Sequence, residues 1–213
     1  MNRIAVLLLL ALTWPASAAE NVWLFYGAGP HIFSSGINTI ARRARTISGV
    51  GRVATYDYRD TQRVYNEILA SPHSDTATIV GYSCGGNASL AVAQSLAHNG
   101  RAVHLLAIQP SVWCGWYLPT TPNVVYAQDT YSSCLLTLGL GCLRFYGDAQ
   151  RTVLIFRPEG HLRGDNDPDA QRDVLAAIYA IANPSRRGAV ARHLSRTTDI
   201  TLSTGQKWWL EGH

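Results

Sequence analysis

Short apolar runs alternate with amphipathic stretches along most of this chain. Val22 to Tyr26, Arg52 to Tyr58, Thr76 to Gly81, Ala102 to Ile108, Asn123 to Ala127 and Thr152 to Phe156 read as strands bounded by turn residues. Between them the apolar residues fall at helical spacing: Ile37, Ile40, Ala44 and Ile47; Val64, Ile68 and Leu69; Val174, Leu175, Ile178 and Ile181. Asn87 to Ala97 is Ala-rich and ends at Asn99-Gly100, a helix with its stop signal. Strand–helix alternation predicts an α/β domain with a mainly parallel sheet and helices on both faces.

The pattern changes at both ends. Arg3 precedes the apolar run Ile4 to Leu12, and Ala16-Ser17-Ala18 offers small residues for cleavage, so residues 1–18 read as a secretory signal. The run is too short to span a bilayer. Residues 20–184 then form one domain, in a mature chain of roughly 195 residues that can bury a sizeable core. Residues 185–213 carry a basic patch, then Asp199 to Leu202 and Lys207-Trp208-Trp209-Leu210: a last strand or hairpin on the domain, or a tail.

Candidate chemistry centres on Gly81-Tyr82-Ser83-Cys84-Gly85. This G-x-S-x-G lies between an apolar strand and a helix, where a tight turn lifts a serine hydroxyl clear of a sheet and small residues must flank it. The bland reading is a Gly-rich turn with an idle serine. The succession strand, G-x-S-x-G, helix resembles the α/β-hydrolase fold over about residues 21 to 183, with no room for a lid domain. That resemblance implies the chain order serine, acid, histidine. Val124 to Gln128 runs into Asp129, and Val153 to Phe156 leads through Arg157-Pro158-Glu159-Gly160 to His161. Ser83, Asp129 and His161 therefore match a triad in which histidine takes the serine proton and the acid orients the imidazole. Without that role, Asp129 is a turn residue and His161 a polar loop residue; Asp148, Asp165 and Asp57 are the other acids to consider. An oxyanion hole needs two backbone N–H groups. The resemblance places one at Cys84 and one at Ala28, although Tyr26 stands where many members have histidine.

Four cysteines in an exported chain favour disulfides. Three pairings are possible. Cys134 and Cys142 enclose a short loop and are favoured, which leaves Cys84 with Cys114. No C-x-x-C spacing suggests zinc. Cys84 is not the nucleophile, because Tyr82 stands where such a turn would need glycine. Asp165 to Asp169 reads as a helix cap with a first-turn proline and lacks the glycine and distal glutamate of a calcium loop. No metal and no cofactor are expected. Asn87-Ala88-Ser89 is a glycosylation sequon by pattern, on a helix that would shield it.

The net charge of +4 is spread mainly over scattered arginines. It gives no footprint for nucleic acid, only a mild attraction to anionic membrane or cell-wall polymers. Only Ser111 to Pro122 separates two strands at the point where many α/β-hydrolases insert a lid, so the site should be open. Overall the chain is similar to cutinases and small secreted esterases. Tyr82, Trp113 and Leu135, with Trp116, Tyr117, Leu136, Leu138 and Leu140, are candidates for an apolar mouth around a small, lipid or polymeric ester; the alternative is plain packing. The sequence thus predicts a secreted or periplasmic, monomeric serine esterase working through an acyl-enzyme on Ser83. A non-catalytic binding protein of the same fold and an acyltransferase are the other readings.

Overall fold

The computed structural model describes residues 19–29, 34–115, 119–133, 140–158 and 160–186. The strands are β1 (Glu20–Phe25), β2 (Val50–Tyr56), β3 (Thr76–Tyr82), β4 (Val103–Ile108), β5 (Val124–Tyr131) and β6 (Thr152–Phe156). The helices are α1 (Ser35–Ala44), α2 (Thr61–Ala70), α3 (Cys84–Ala97) and α4 (Pro168–Ala182). They form one six-stranded sheet in the order β2-β1-β3-β4-β5-β6, and every adjacent pair is parallel.

Side chains of β1 alternate between two cores, as the pleat requires. Val22 and Leu24 join Val80 and Leu106 beneath Ile37 and Ile40 of α1 and Val174 and Ile178 of α4. Trp23 and Phe25 join Ile79 and Leu105 beneath Val64 and Ile68 of α2 and Leu90 and Leu96 of α3. Covered on both faces, β1 and β4 are buried throughout, which is why they read as continuous apolar runs. β6 is an edge strand: Val153 and Ile155 are buried, while Leu154 and Phe156 face outward.

This is the α/β arrangement the alternation of strands and helices predicted, a parallel sheet with helices on both faces, with two boundary differences that bear on the site. α3 begins at Cys84 rather than Asn87, so the helix starts immediately after Ser83. β5 runs to Tyr131 rather than Ala127. Its last residues pair on both sides, Asp129 with Ala107 of β4 and with Leu154 of β6. The Asp165 to Asp169 run is a cap, as expected: the Asp167 carboxylate accepts from Asp169 N at 3.0 Å and Ala170 N at 3.3 Å, and Pro168 opens α4. No helix among the described residues is long and apolar enough to cross a membrane. Residues 1–18 and 187–213 lie outside the described residues, and with them the expected signal and nearly all of the expected C-terminal extension.

Candidate active site

β3 ends and α3 begins around Ser83, whose backbone is held at φ 54, ψ −123. This left-handed conformation is costly for a non-glycine residue, and it turns the chain sharply. The two flanking glycines make the turn possible. A Cβ on Gly81 would lie 2.1 Å from Gly85 O, and one on Gly85 would lie 2.5 Å from Phe25 O. Backbone therefore fills the space that side chains would need.

His161 follows β6 on a short 3-10 turn, His161–Arg163. Its Nε2 lies 2.8 Å from Ser83 Oγ. The structure thus joins the two residues across 78 positions of sequence. Burial pulls the imidazole pKa down to about 4, so the ring is neutral at neutral pH and free to accept the serine proton. The turn is fastened from below: Asp165 Oδ2 accepts from Ile37 N at the start of α1 at 3.2 Å. Burial raises the Asp165 carboxyl to about 6 against the backbone N–H groups that lower it.

Asp129 is not joined to this pair. It lies within β5 rather than beyond it, fully buried, and its Oδ2 accepts from Phe145 N at 2.9 Å. Asp129 Oδ1 and His161 Nδ1 both lack hydrogen-bond partners. Burial raises the Asp129 carboxyl to about 8, with Phe145 N–H and Arg144 working against the shift. A carboxyl protonated at neutral pH offers no negative charge to an imidazolium. The expected hydrogen bond from His161 to Asp129 is not made: Asp129 shares its side of β5 with Ala127 of the α2/α3 core layer, and its Oδ2 is taken by Phe145 N. The other acids are committed elsewhere: Asp165 as above, Asp148 exposed, and Asp57 in the turn before α2, where its Oδ1 accepts from Arg59 N.

Cys84 is the first residue of α3, so the helix itself supplies no partner for its N–H, which makes it a fitting oxyanion donor. The second expected donor lies in the loop after β1. Gly27 packs against Ser83, since a Cβ there would be 3.0 Å from Ser83 Cβ. Gly27 N is committed to Ser34 Oγ at 3.1 Å, and the next residue, Ala28, is exposed.

Cys84 and Cys114 form a disulfide, as expected. Cys142 is also disulfide-bonded; Cys134, its expected partner, lies outside the described residues. The Cys84–Cys114 bridge holds the loop carrying Trp113, which is 71% exposed. Asn87 supports the same loop: its Oδ1 accepts from Ser111 N at 3.0 Å and its Nδ2 donates to Gly115 O at 3.3 Å. The sequon asparagine is thereby buried and occupied. Leu162, beside His161, is 69% exposed; an isolated leucine in a polar turn gave no sequence signal. Leu135, Trp116 and Tyr117 lie outside the described residues. Tyr82 does not line a mouth. It is 3% exposed, and its ring stacks on the His161 imidazole.

No family model matches the chain, and no curated protein matches it in sequence. Among solved structures it is similar to a lidless α/β serine hydrolase from Xanthomonas campestris, at TM-score 0.43 and 16% identity over 80% of this chain and 84% of that one.

Proposed function

We propose that this protein is a serine hydrolase cleaving carboxylic esters through an acyl-enzyme on Ser83. The observation that carries the proposal is the 2.8 Å contact between Ser83 Oγ and a neutral, buried His161 Nε2, made at a serine held in a strained turn. His161 takes the Ser83 proton as the hydroxyl attacks the ester carbonyl, and returns it to the departing alcohol. Water, activated by the same imidazole, then releases the acid. The Cys84 N–H, with an N–H from the loop at Ala28, holds the developing oxyanion.

The preference for esters rests on Trp113 and Leu162, exposed apolar groups next to anchored site residues, which suit an acyl chain or an interfacial substrate. The short link from β4 to β5 leaves the site open to bulky or polymeric esters, as in small lidless secreted esterases. The Cys84–Cys114 disulfide suits an oxidising compartment, outside the cell or in the periplasm. Transfer of the acyl group to another alcohol would pass through the same intermediate, and product analysis with added acceptors distinguishes it.

A non-catalytic binding role is the second reading, favoured by one observation: His161 Nδ1 has no partner. Hydrolysis of p-nitrophenyl esters of graded chain length separates the two. Turnover lost in Ser83→Ala and in His161→Ala supports the hydrolase; no turnover on any chain length supports the binding protein.

A further inference from the structure

The residue before the nucleophile makes two contacts with the catalytic base. Tyr82 OH donates a hydrogen bond to the backbone carbonyl of His161. The Tyr82 ring also stacks on the imidazole, with centroids 5.2 Å apart and planes 23° from parallel. That carbonyl accepts from Gly164 N as well, at 3.1 Å, so the tyrosine binds the oxygen that closes the His161 turn. The phenol is locked in turn by glycines. A Cβ on Gly27 would lie 3.2 Å from Tyr82 Cδ1, and one on Gly164 would lie 3.2 Å from Tyr82 Cε2. Burial raises the phenol pKa, so the hydroxyl keeps its proton and remains a donor.

An imidazole acting as base needs its ring plane fixed, or Nε2 swings away from the serine. A carboxylate on Nδ1 usually does this. Here Nδ1 has no partner, and Asp129 Oδ2 accepts from Phe145 N rather than from His161. We propose that Tyr82 is the positioning residue for His161, fixing the turn through its hydroxyl and the ring plane through the stack, so that the pair works as a dyad without a carboxylate. The aromatic face also lies where a transient imidazolium gains some cation–π stabilisation. The proposal rests on the hydrolase reading above.

The test compares wild type with Tyr82→Phe, Tyr82→Leu, Asp129→Asn and His161→Ala in ester hydrolysis, after circular dichroism shows each variant folded. A misplaced base costs on the order of 100-fold. Tyr82→Leu should lose about that factor in kcat, with KM little changed. Tyr82→Phe, which keeps the stack, should fall between Tyr82→Leu and wild type, and Asp129→Asn should stay close to wild type. In NMR spectra of wild type, the His161 ring protons should be shifted upfield by the Tyr82 ring, and Tyr82→Leu should abolish the shift. The proposal is overturned by a folded Tyr82→Leu or Tyr82→Phe with wild-type kcat, by a loss carried wholly in KM, by Asp129→Asn as inactive as His161→Ala, or by no upfield shift. A wild type that neither turns over esters nor reacts with a serine-directed probe brings down the hydrolase reading instead, and this proposal with it.

Discussion

Cys84 and Cys114 are bonded across 30 positions of sequence, with Cα atoms 5.2 Å apart, a separation within the ordinary disulfide range. The bond ties the residue after Ser83 to the loop that carries Trp113. One covalent link thus couples the first turn of α3 to the loop of the exposed Trp113. Replacing both cysteines by serine should cost about 2–4 kcal/mol of stability and weaken turnover of long-chain esters more than short ones. Urea midpoints and chain-length profiles of the two forms check both effects.

Under the proposed mechanism the neutral imidazole sets the acidic limit of activity. His161 titrates at about 4 in the folded protein because burial disfavours its charged form. Below that pH it is protonated and cannot accept the Ser83 proton; above it, it can. The acid limb of kcat/KM should therefore fall near pH 4, well below the usual histidine value of about 6.5. The pH profile with a soluble short-chain ester measures it. A limb near 6.5 would mean that the ring is hydrated or paired with a carboxylate in solution.

Asp129 should be visible in stability rather than in turnover. Its folded pKa is raised to about 8 from the ordinary aspartate value of 3.8, chiefly by burial. Between those values the native state holds one proton more than the unfolded chain. Stability is then lost as pH rises toward 8, with a slope of up to about 1.4 kcal/mol per pH unit. Asp165, raised to about 6, acts in the same direction at lower pH, and His161 opposes both below 6.5. From pH 6.5 to 8 the Asp129 contribution stands clear of those two. Asp129→Asn should flatten the decline there, as read from urea unfolding at a series of pH values.

Gly141 is placed where a side chain would strike His161. Its φ is +75, and a Cβ there would lie 2.4 Å from His161 Nδ1. Gly141→Ala should cost about 1–3 kcal/mol in backbone strain and push the imidazole off Ser83, cutting kcat by on the order of 100-fold. Kinetics and thermal unfolding of the variant separate the two costs.

Most of the fold could be read from the chain because each element carries its own signal. The helix expected over Thr61 to Ala70 occurs with those limits, since Val64 and Ile68 mark its inner face and Ser71-Pro72 cannot continue it. The strained turn at Ser83 was legible through Gly81 and Gly85, whose missing side chains are a local requirement of that backbone. Asp129 was misplaced because chain order says when an acid occurs, not which face of a strand it takes. Gln128 to Tyr131 contains no glycine or proline, and Thr130 and Tyr131 favour the extended chain, so β5 ran on past the expected end. Tyr82 was misread for a related reason. Sequence puts it beside Ser83, but only the return of the chain after β6 shows that its ring meets His161. Leu162 gave no signal, because a lone apolar residue in a turn has no periodicity.

The central claim is that Ser83 is a nucleophile activated by His161. Labelling of the mature protein with a fluorophosphonate, followed by mass spectrometry of the modified peptide, tests it most directly. Covalent addition at Ser83, abolished in Ser83→Ala and strongly slowed in His161→Ala, is the predicted result. Folded protein that remains unlabelled, or that is labelled equally well without His161, would contradict it.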